Sequence, residues 1–145
     1  MVLKKCVFEI QDKNIRKLTG NDLIEIQEFY AVSYPNNWFD SRMLETEKYY
    51  GYFTNKKLVG ISGIHVFSKE YKVAALGNIA VHPDFRGKGI AYKLTSALCF
   101  DLQTCVDIIG LNVKSDNFHA IKCYQKIGFE KIGTFEECCF KNIGI

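Results

Sequence analysis

The sequence predicts an α/β (α+β) fold built on one mixed sheet, and three observations carry that prediction. The first half alternates short apolar runs with turn residues, the pattern of hairpins. The second half runs apolar strand, glycine-rich loop, amphipathic helix, apolar strand, the pattern of a β-α-β unit. No internal repeat, linker or low-complexity segment divides the 145 residues, so residues 1–145 read as a single domain. Counting the elements below leads to a central sheet of about six or seven strands flanked by about four helices.

Val7 to Ile10 is expected to form a first short strand. Asp22-x-x-Glu25 has the form of a capping box and opens a helix to about Val32, with Leu23, Ile26 and Tyr30 on one face. Pro35-Asn36-Asn37 ends it, and Asp40 or Ser41 caps a second, short helix to about Glu47. Tyr49 to Phe53 and Leu58 to Phe67 pair as a hairpin around Asn55-Lys56-Lys57, and Val73 to Val81 follows as another strand. A helix beginning near Ile90 places Leu94, Ala97, Leu98, Leu102 and Cys105 on one face. Ile108 to Val113 is nearly all apolar, hence a strand expected to be buried on both sides. A helix over Phe118 to Lys126, a stop at Gly128 and two short strands complete the chain.

Composition narrows the function. Apolar residues make up 48% and charged residues 24%, the balance of an ordinary globular domain. No apolar run approaches the roughly 20 residues that span a bilayer. The first residues lack the apolar stretch of a signal peptide, so an intracellular, cytoplasmic location without membrane partners is expected. A net charge of +3 with scattered lysines offers no basic ribbon for a nucleic acid backbone. The six cysteines form no C-x-x-C pair and several sit in apolar-periodic segments. They read as reduced structural thiols, with no metal site.

One segment concentrates chemistry. Arg86-Gly87-Lys88-Gly89-Ile90-Ala91 lies between an apolar strand and an amphipathic helix. A helix start leaves backbone N–H groups unpaired and carries partial positive charge, so it attracts anions. Glycines at 87 and 89 allow close approach of a diphosphate, and Arg86 and Lys88 add charge. The Walker loop spacing is absent, and G-x-G-x-x-G lacks its third glycine.

The segment Leu76-Gly-Asn-Ile-Ala-Val-His-Pro-Asp-Phe-Arg-Gly-Lys-Gly-Ile-Ala resembles the central motif of the GNAT acyltransferase superfamily. Leu111-Asn-Val-Lys-Ser-Asp-Asn-Phe-His-Ala-Ile-Lys-Cys-Tyr-Gln-Lys-Ile-Gly-Phe resembles the second motif of that superfamily, in matching order and spacing. The stretch Asn37-Trp-Phe-Asp-Ser-Arg-Met-Leu, with Leu76-Gly-Asn-Ile, is most similar to the branch of glycine N-acyltransferase-like domains. The resemblance implies a single GNAT-like domain using acetyl-CoA as co-substrate, without a metal. The expected function is N-acetyl transfer to a small-molecule or peptide amine by direct attack in a ternary complex. A non-catalytic acyl-CoA-binding regulatory domain is the alternative, and monomer and homodimer both stay open.

The resemblance also implies roles. Backbone groups of Ile79, Ala80 and Val81 would lie along the pantetheine arm, with an N–H near Val81 polarising the thioester carbonyl. Amides from Arg86 through Gly87, Lys88, Gly89, Ile90 and Ala91 would hold the diphosphate. Asn117 would contact the cofactor arm and Tyr124 would protonate the leaving thiolate. The residues agree: Asn117 can cap the helix, and Ala120 lies one turn from Tyr124 on a common face. A phenol near pKa 10 and a thiol near 8.5 are close enough for proton transfer. The general base is less marked, since Val73 to Val81 contains no acid; His65 on the neighbouring strand is the candidate, with a water chain needing no side-chain base as the alternative. His82, before Pro83, reads as structural, and Cys123 adjoins Tyr124 without an ordered His-Asp pair. Tyr30, Tyr34, Trp38 and Phe39 fall where related enzymes build the acceptor side.

Overall fold

The computed structural model describes residues 1–133. Seven strands form one sheet in the order β2-β3-β4-β5-β6-β1-β7. The strands are β1 (Val2–Leu3), β2 (Ile15–Lys17), β3 (Tyr50–Thr54), β4 (Lys57–Ser68), β5 (Val73–Val81), β6 (Ile108–Gly110) and β7 (Phe129–Glu130). Three α-helices accompany them: α1 (Leu23–Ser33), α2 (Ile90–Leu102) and α3 (Phe118–Ile127). A 3₁₀ helix over Ser41–Thr46 is the expected second helix, capped by Asp40, whose carboxylate accepts from the Arg42 N–H at 2.8 Å. The second of the two expected C-terminal strands lies outside the described residues, as do Cys138 and Cys139.

The hairpin of β3 and β4 turns on Asn55 and Lys56, both at positive φ, 50° and 65°. Two such residues make the mirror-image turn whose twist matches that of the strands. β5 and β6 are parallel, joined by α2, and every other pairing in the sheet is antiparallel. Helix α2 covers one face: a Cβ at Gly60 would meet Ile90 and Leu94, and the hydroxyls of Ser62 and Thr95 lie 3.3 Å apart. Helix α1 and Tyr49 cover the other face, where the Tyr49 ring lies flat over Gly63. Leu94, Leu98, Cys99 and Leu102 of α2 are fully buried, as the helical spacing predicts.

Several expectations change. Val7 to Ile10 is not a strand; the backbone of Val7 is satisfied by the Gln103 carboxamide, which accepts its N–H at 2.9 Å and donates to its carbonyl at 2.7 Å. A side-chain amide thus replaces a neighbouring strand. The strand at that end of the chain is β1, inserted between β6 and β7, with the Met1 ammonium donating to the Leu111 carbonyl at 2.8 Å. Asp22 does not cap α1 through Glu25. It closes a capping box with Thr19, accepting the Thr19 N–H at 2.8 Å, while Glu25 accepts from the Leu58 N–H. Helix α2 ends at Leu102, three residues early, where the N–H groups of Cys105 and Val106 both fold back onto the Leu102 carbonyl. Strand β6 stops at Gly110, and Ile108 is 51% exposed, so only Ile109 is buried on the strand. A parallel strand of three residues flanked by a two-residue neighbour leaves its outer positions uncovered.

A charged cluster ties the end of α2 to β3. The Asp101 carboxylate, near the end of α2, accepts from Tyr50 at 2.6 Å and from the largely buried Lys48 at 2.9 Å. Those partners, outweighing the burial that opposes them, hold its carboxyl below the usual carboxylate range.

The packing of Tyr49 over Gly63 sets a test. Gly63→Ala should lower stability by about 1–3 kcal/mol, because the buried ring cannot move aside. Gly77→Ala, which meets the exposed His65 ring, should cost less. Urea unfolding of the two variants makes the comparison.

Candidate active site

Strand β5 pairs with β4 along its length but with β6 only through Val73, Ala74 and Ala75. Beyond Gly110 the chain leaves β5, with the Leu111 N–H bonded to the Met1 carbonyl instead. From Leu76 to Val81, therefore, the β6-facing edge of β5 carries backbone groups without a ladder partner among the described residues. A wedge-shaped opening between two parallel strands results, and Ile79, Ala80 and Val81 line it.

The opening leads into the glycine loop. His82 accepts the Asp84 N–H on Nδ1 at 3.1 Å and starts a 3₁₀ turn over Pro83–Phe85, a structural role. Arg86 follows in extended conformation, its Nε donating to the Val81 carbonyl at 3.2 Å. Gly87 and Gly89 both take left-handed backbone, φ +77° and +78°, which glycine alone adopts without strain. Gly89 is the N-cap of α2 and supplies no side chain, and the first helical bond across the boundary is Lys93 N–H to the Gly89 carbonyl at 3.1 Å. The amides of Ile90, Ala91 and Tyr92 are thus left for a ligand. Space above both glycines is open, Arg86 and Lys88 are exposed, and buried Ile90 anchors the helix start.

Asn117 is the N-cap of α3, with Oδ1 accepting the Ala120 N–H at 3.2 Å. Ala120 is half-buried, one turn before Tyr124. Tyr124 is 9% exposed, with its ring edge-on to Phe129. Its hydroxyl has no hydrogen-bond partner among the described residues. Burial raises the phenol well above its ordinary range, with smaller contributions from Cys123, Tyr34 and Cys99. That shift widens the gap to a thiol. Tyr124 can donate a hydrogen bond to a developing thiolate while keeping its proton, rather than exchange protons on near-equal terms. Cys123 has its thiol pushed up by burial, opposed by Lys126, and Cys99 is pushed up to about 12, so neither is an activated nucleophile.

His65 occupies a bulge of β4: Ile64 faces Leu76 and Val66 faces Ala75, so His65 has no opposite residue. Its ring lies across Gly77, roughly 10 Å along β5 from Ala80. No hydrogen bond joins it to Tyr124, Asn117 or the loop among the described residues. Tyr30 is core, Phe39 packs between Tyr30 and Tyr49, and Trp38 is 75% exposed.

Sequence reasoning missed Asn78. A second bulge sets Asn78 and Ile79 of β5 opposite Ser62 alone, with Asn78 at φ +53°. Its Oδ1 accepts the Trp38 N–H at 2.9 Å, its Nδ2 donates to the Tyr49 hydroxyl at 2.9 Å, and its carbonyl accepts from Tyr30 at 2.6 Å. Gly77-Asn78 inside an apolar run was the available signal, since that pair in a strand marks a bulge. Among the described residues no group of three or more His, Cys, Asp or Glu side chains is placed to hold a metal ion. No helix there is long and apolar enough to cross a membrane.

The Acetyltransferase (GNAT) family profile matches residues 14–129, and the chain belongs to that family. It is 40% identical over 60 residues to the ribosomal protein bS18-alanine N-acetyltransferase of Haemophilus ducreyi, covering 41% of this chain and 41% of that protein. It is 30% identical over 89 residues to the N-alpha-acetyltransferase RimI of Mycobacterium tuberculosis, covering 59% and 53%. With the catalytic subunit NAT3 of the N-terminal acetyltransferase B complex of Saccharomyces cerevisiae it shares 28% over 134 residues, covering 85% and 63%. The chain spans less than two thirds of each of these relatives. Among solved structures, the ribosomal-protein-S18-alanine N-acetyltransferase of Escherichia coli superposes with a TM-score of 0.67 at 25% identity, covering 82% of this chain and 78% of that one. The ribosomal-protein-alanine N-acetyltransferase of Brucella melitensis biovar Abortus 2308 gives 0.68 at 21% identity, covering 87% and 97%, a likeness of fold.

Partial burial lowers the His65 pKa below the usual histidine value. Its folded pKa lies below its unfolded one, so its contribution is present above about pH 6.5 and fades as pH falls, because the unfolded chain takes the proton first. NMR titration of the ring protons should give a midpoint below that of a histidine peptide.

Proposed function

We propose that residues 1–145 act as one acetyl-CoA-dependent N-acetyltransferase domain. The observation that carries this reading is the unpaired β5 edge running directly into the two left-handed glycines and the free amides of α2. An extended amide-bearing arm fits the first and a diphosphate fits the second. Ile79, Ala80 and Val81 would hold the arm, and Arg86, Gly87, Lys88, Gly89, Ile90 and Ala91 the diphosphate. When bound, acetyl-CoA supplies an activated acyl thioester, which passes to the acceptor amine in a ternary complex. A backbone N–H near Val81 polarises the carbonyl, and Asn117 and Ala120 flank the arm from α3. Tyr124 stabilises the departing sulfur by hydrogen-bond donation from its hydroxyl. His65, which stays largely neutral at pH 7, would take the amine proton through intervening water rather than directly.

The acceptor we propose is the α-amino group of a peptide or protein N-terminus. Relatives named for ribosomal-protein alanine and N-terminal acetylation support that class; none of those described here supports a glycine N-acyltransferase-like branch. A terminal α-amine has a pKa near 8, so it reaches its neutral, nucleophilic form with far less help than a lysine side chain near 10.4. A weakly placed base is consistent with such an acceptor.

Acetyl-CoA should raise the melting temperature, since a ligand of the folded state stabilises by mass action. Arg86→Glu and Gly89→Val should each remove most of that shift; an unchanged shift in both would sink the loop assignment. Release of free thiol from acetyl-CoA in the presence of alanine-initiated peptides tests the reaction. Binding without release across a broad amine panel would leave an acyl-CoA-binding domain.

Tyr124→Phe removes one hydroxyl and almost no volume. It should lower kcat by about 10²-fold while changing acetyl-CoA affinity little, because the interaction forms as sulfur charge develops. Steady-state kinetics with calorimetry decide this, and near-normal turnover would make Tyr124 a packing residue.

A further inference from the structure

Asn78 is 2% exposed, and a polar side chain so buried must find partners or destabilise the fold. All its partners lie on the face of the sheet opposite α2. They come from separate places: Tyr30 on α1, Tyr49 before β3, the backbone of Trp38 in the irregular segment after α1, and, at a longer 3.8 Å, the Met43 sulfur. Tyr49 passes the chain on by donating to the Ile64 carbonyl at 2.7 Å, back on β4. Asn78 lies within the stretch Leu76–Val81, whose β6-facing edge has no ladder partner among the described residues. One carboxamide therefore joins the cofactor strand to the segment Tyr34–Asp40. A left-handed bulge alone would be served by glycine; asparagine adds a side chain, and all of that side chain is used.

The segment it holds borders a surface hollow lined by Tyr30, Ala31, Pro35, Asn37, Phe39 and Ser41. The glycine loop and the start of α2 occupy the other face of the sheet, so an acyl donor whose diphosphate is held there leaves this hollow to the second substrate. We propose that Asn78 is a positioning residue for the acceptor: it clamps residues 34–40 to the bulge of β5 and so fixes the acceptor wall relative to the acyl group. This rests on the acyl-transfer reading above. Asn78 touches neither substrate and acts through the Trp38 backbone and the bulge.

The test is Asn78→Gly, which keeps the left-handed backbone and removes the clamp. Coenzyme A affinity by calorimetry should stay within about twofold, since the bulge and the loop remain. The KM for an alanine-initiated peptide should rise about tenfold or more, with a smaller fall in kcat, as expected when a hydrogen-bonded anchor of one substrate's wall is lost. Trp38 is the only tryptophan, so its fluorescence anisotropy reads the segment directly; the variant should show faster local depolarisation. Wild-type values for both peptide KM and anisotropy would overturn the proposal, as would an equal loss of affinity for both substrates, the mark of general loosening. If wild type binds coenzyme A but acetylates no peptide, the acceptor reading fails, while the coenzyme affinity and the Trp38 anisotropy still decide the clamp. Should Asn78→Gly not fold, Tyr49→Phe removes the acceptor of the Asn78 amide together with the donor to the Ile64 carbonyl and should move the same readouts in the same direction; unchanged readouts there would equally overturn it.

Discussion

A bulge in the middle of a buried strand needs something to hold it, and here that is the carboxamide of Asn78. The strand gives up a regular register and places a non-glycine residue at φ +53°. Hydrogen bonds from Trp38, to Tyr49 and from Tyr30 offset this, each of net worth about 1 kcal/mol when made and costlier if left broken inside the core. The arrangement is self-consistent because the partners are themselves fixed: Tyr30 and Tyr49 are fully buried and Phe39 stacks between them. With the bulge held, the second half of β5 runs on beside β4 while β6 turns away to β1.

An open strand edge is ordinarily a liability, since unpaired amides and carbonyls invite association. This one lies inside a wedge rather than at the sheet margin, and it is supported from both faces. On one side Leu94, Leu98 and Leu102 of α2 seal the core, and Asp101, Lys48 and Tyr50 tie the end of α2 to β3. On the other side stand α1 and the aromatic group. Buried surroundings on both faces hold the edge, the two glycines and the first amides of α2 in one alignment, the kind of preorganisation that lowers the cost of binding.

The reacting groups show how burial alters arguments made from reference acidities. A free phenol and a thiol differ little, which makes proton exchange between Tyr124 and a leaving sulfur look balanced. Inside the fold the phenol is driven up by desolvation, so its value lies in donating a strong hydrogen bond while remaining protonated. The same desolvation keeps Cys99 and Cys123 as thiols and His65 largely neutral. One physical effect thus keeps the phenol, the two thiols and the imidazole in their neutral forms.

Much of the fold was legible along the chain because its signals are local. The span Val73–Val81, the glycine loop, the caps at Asp40 and Asn117 and the stop at Gly128 each depend on neighbours within a few residues. Those neighbours alone set the backbone angles and the first hydrogen bonds. Helix α2 was legible for the same reason, though its end was not, since the turn after Leu102 competes with three more residues of good helical spacing. What remained hidden depends on partners far away in sequence. Val7 looked like a strand because its apolar character is local, whereas the Gln103 amide that satisfies its backbone arrives from the far end of α2. Asp22 and Glu25 spelled a capping box, but Thr19 and Leu58 took their carboxylates. By itself the sequence determined the order of elements from α1 to α3, the family motifs and the residues of the glycine loop. Only the tertiary structure decided that β6 leaves β5 after Ala75, that His65 stands over Gly77, and that Asn78 holds the backbone at Trp38. Each of those is a competition between distant groups for the same hydrogen bond or the same space, and no local pattern encodes who wins it.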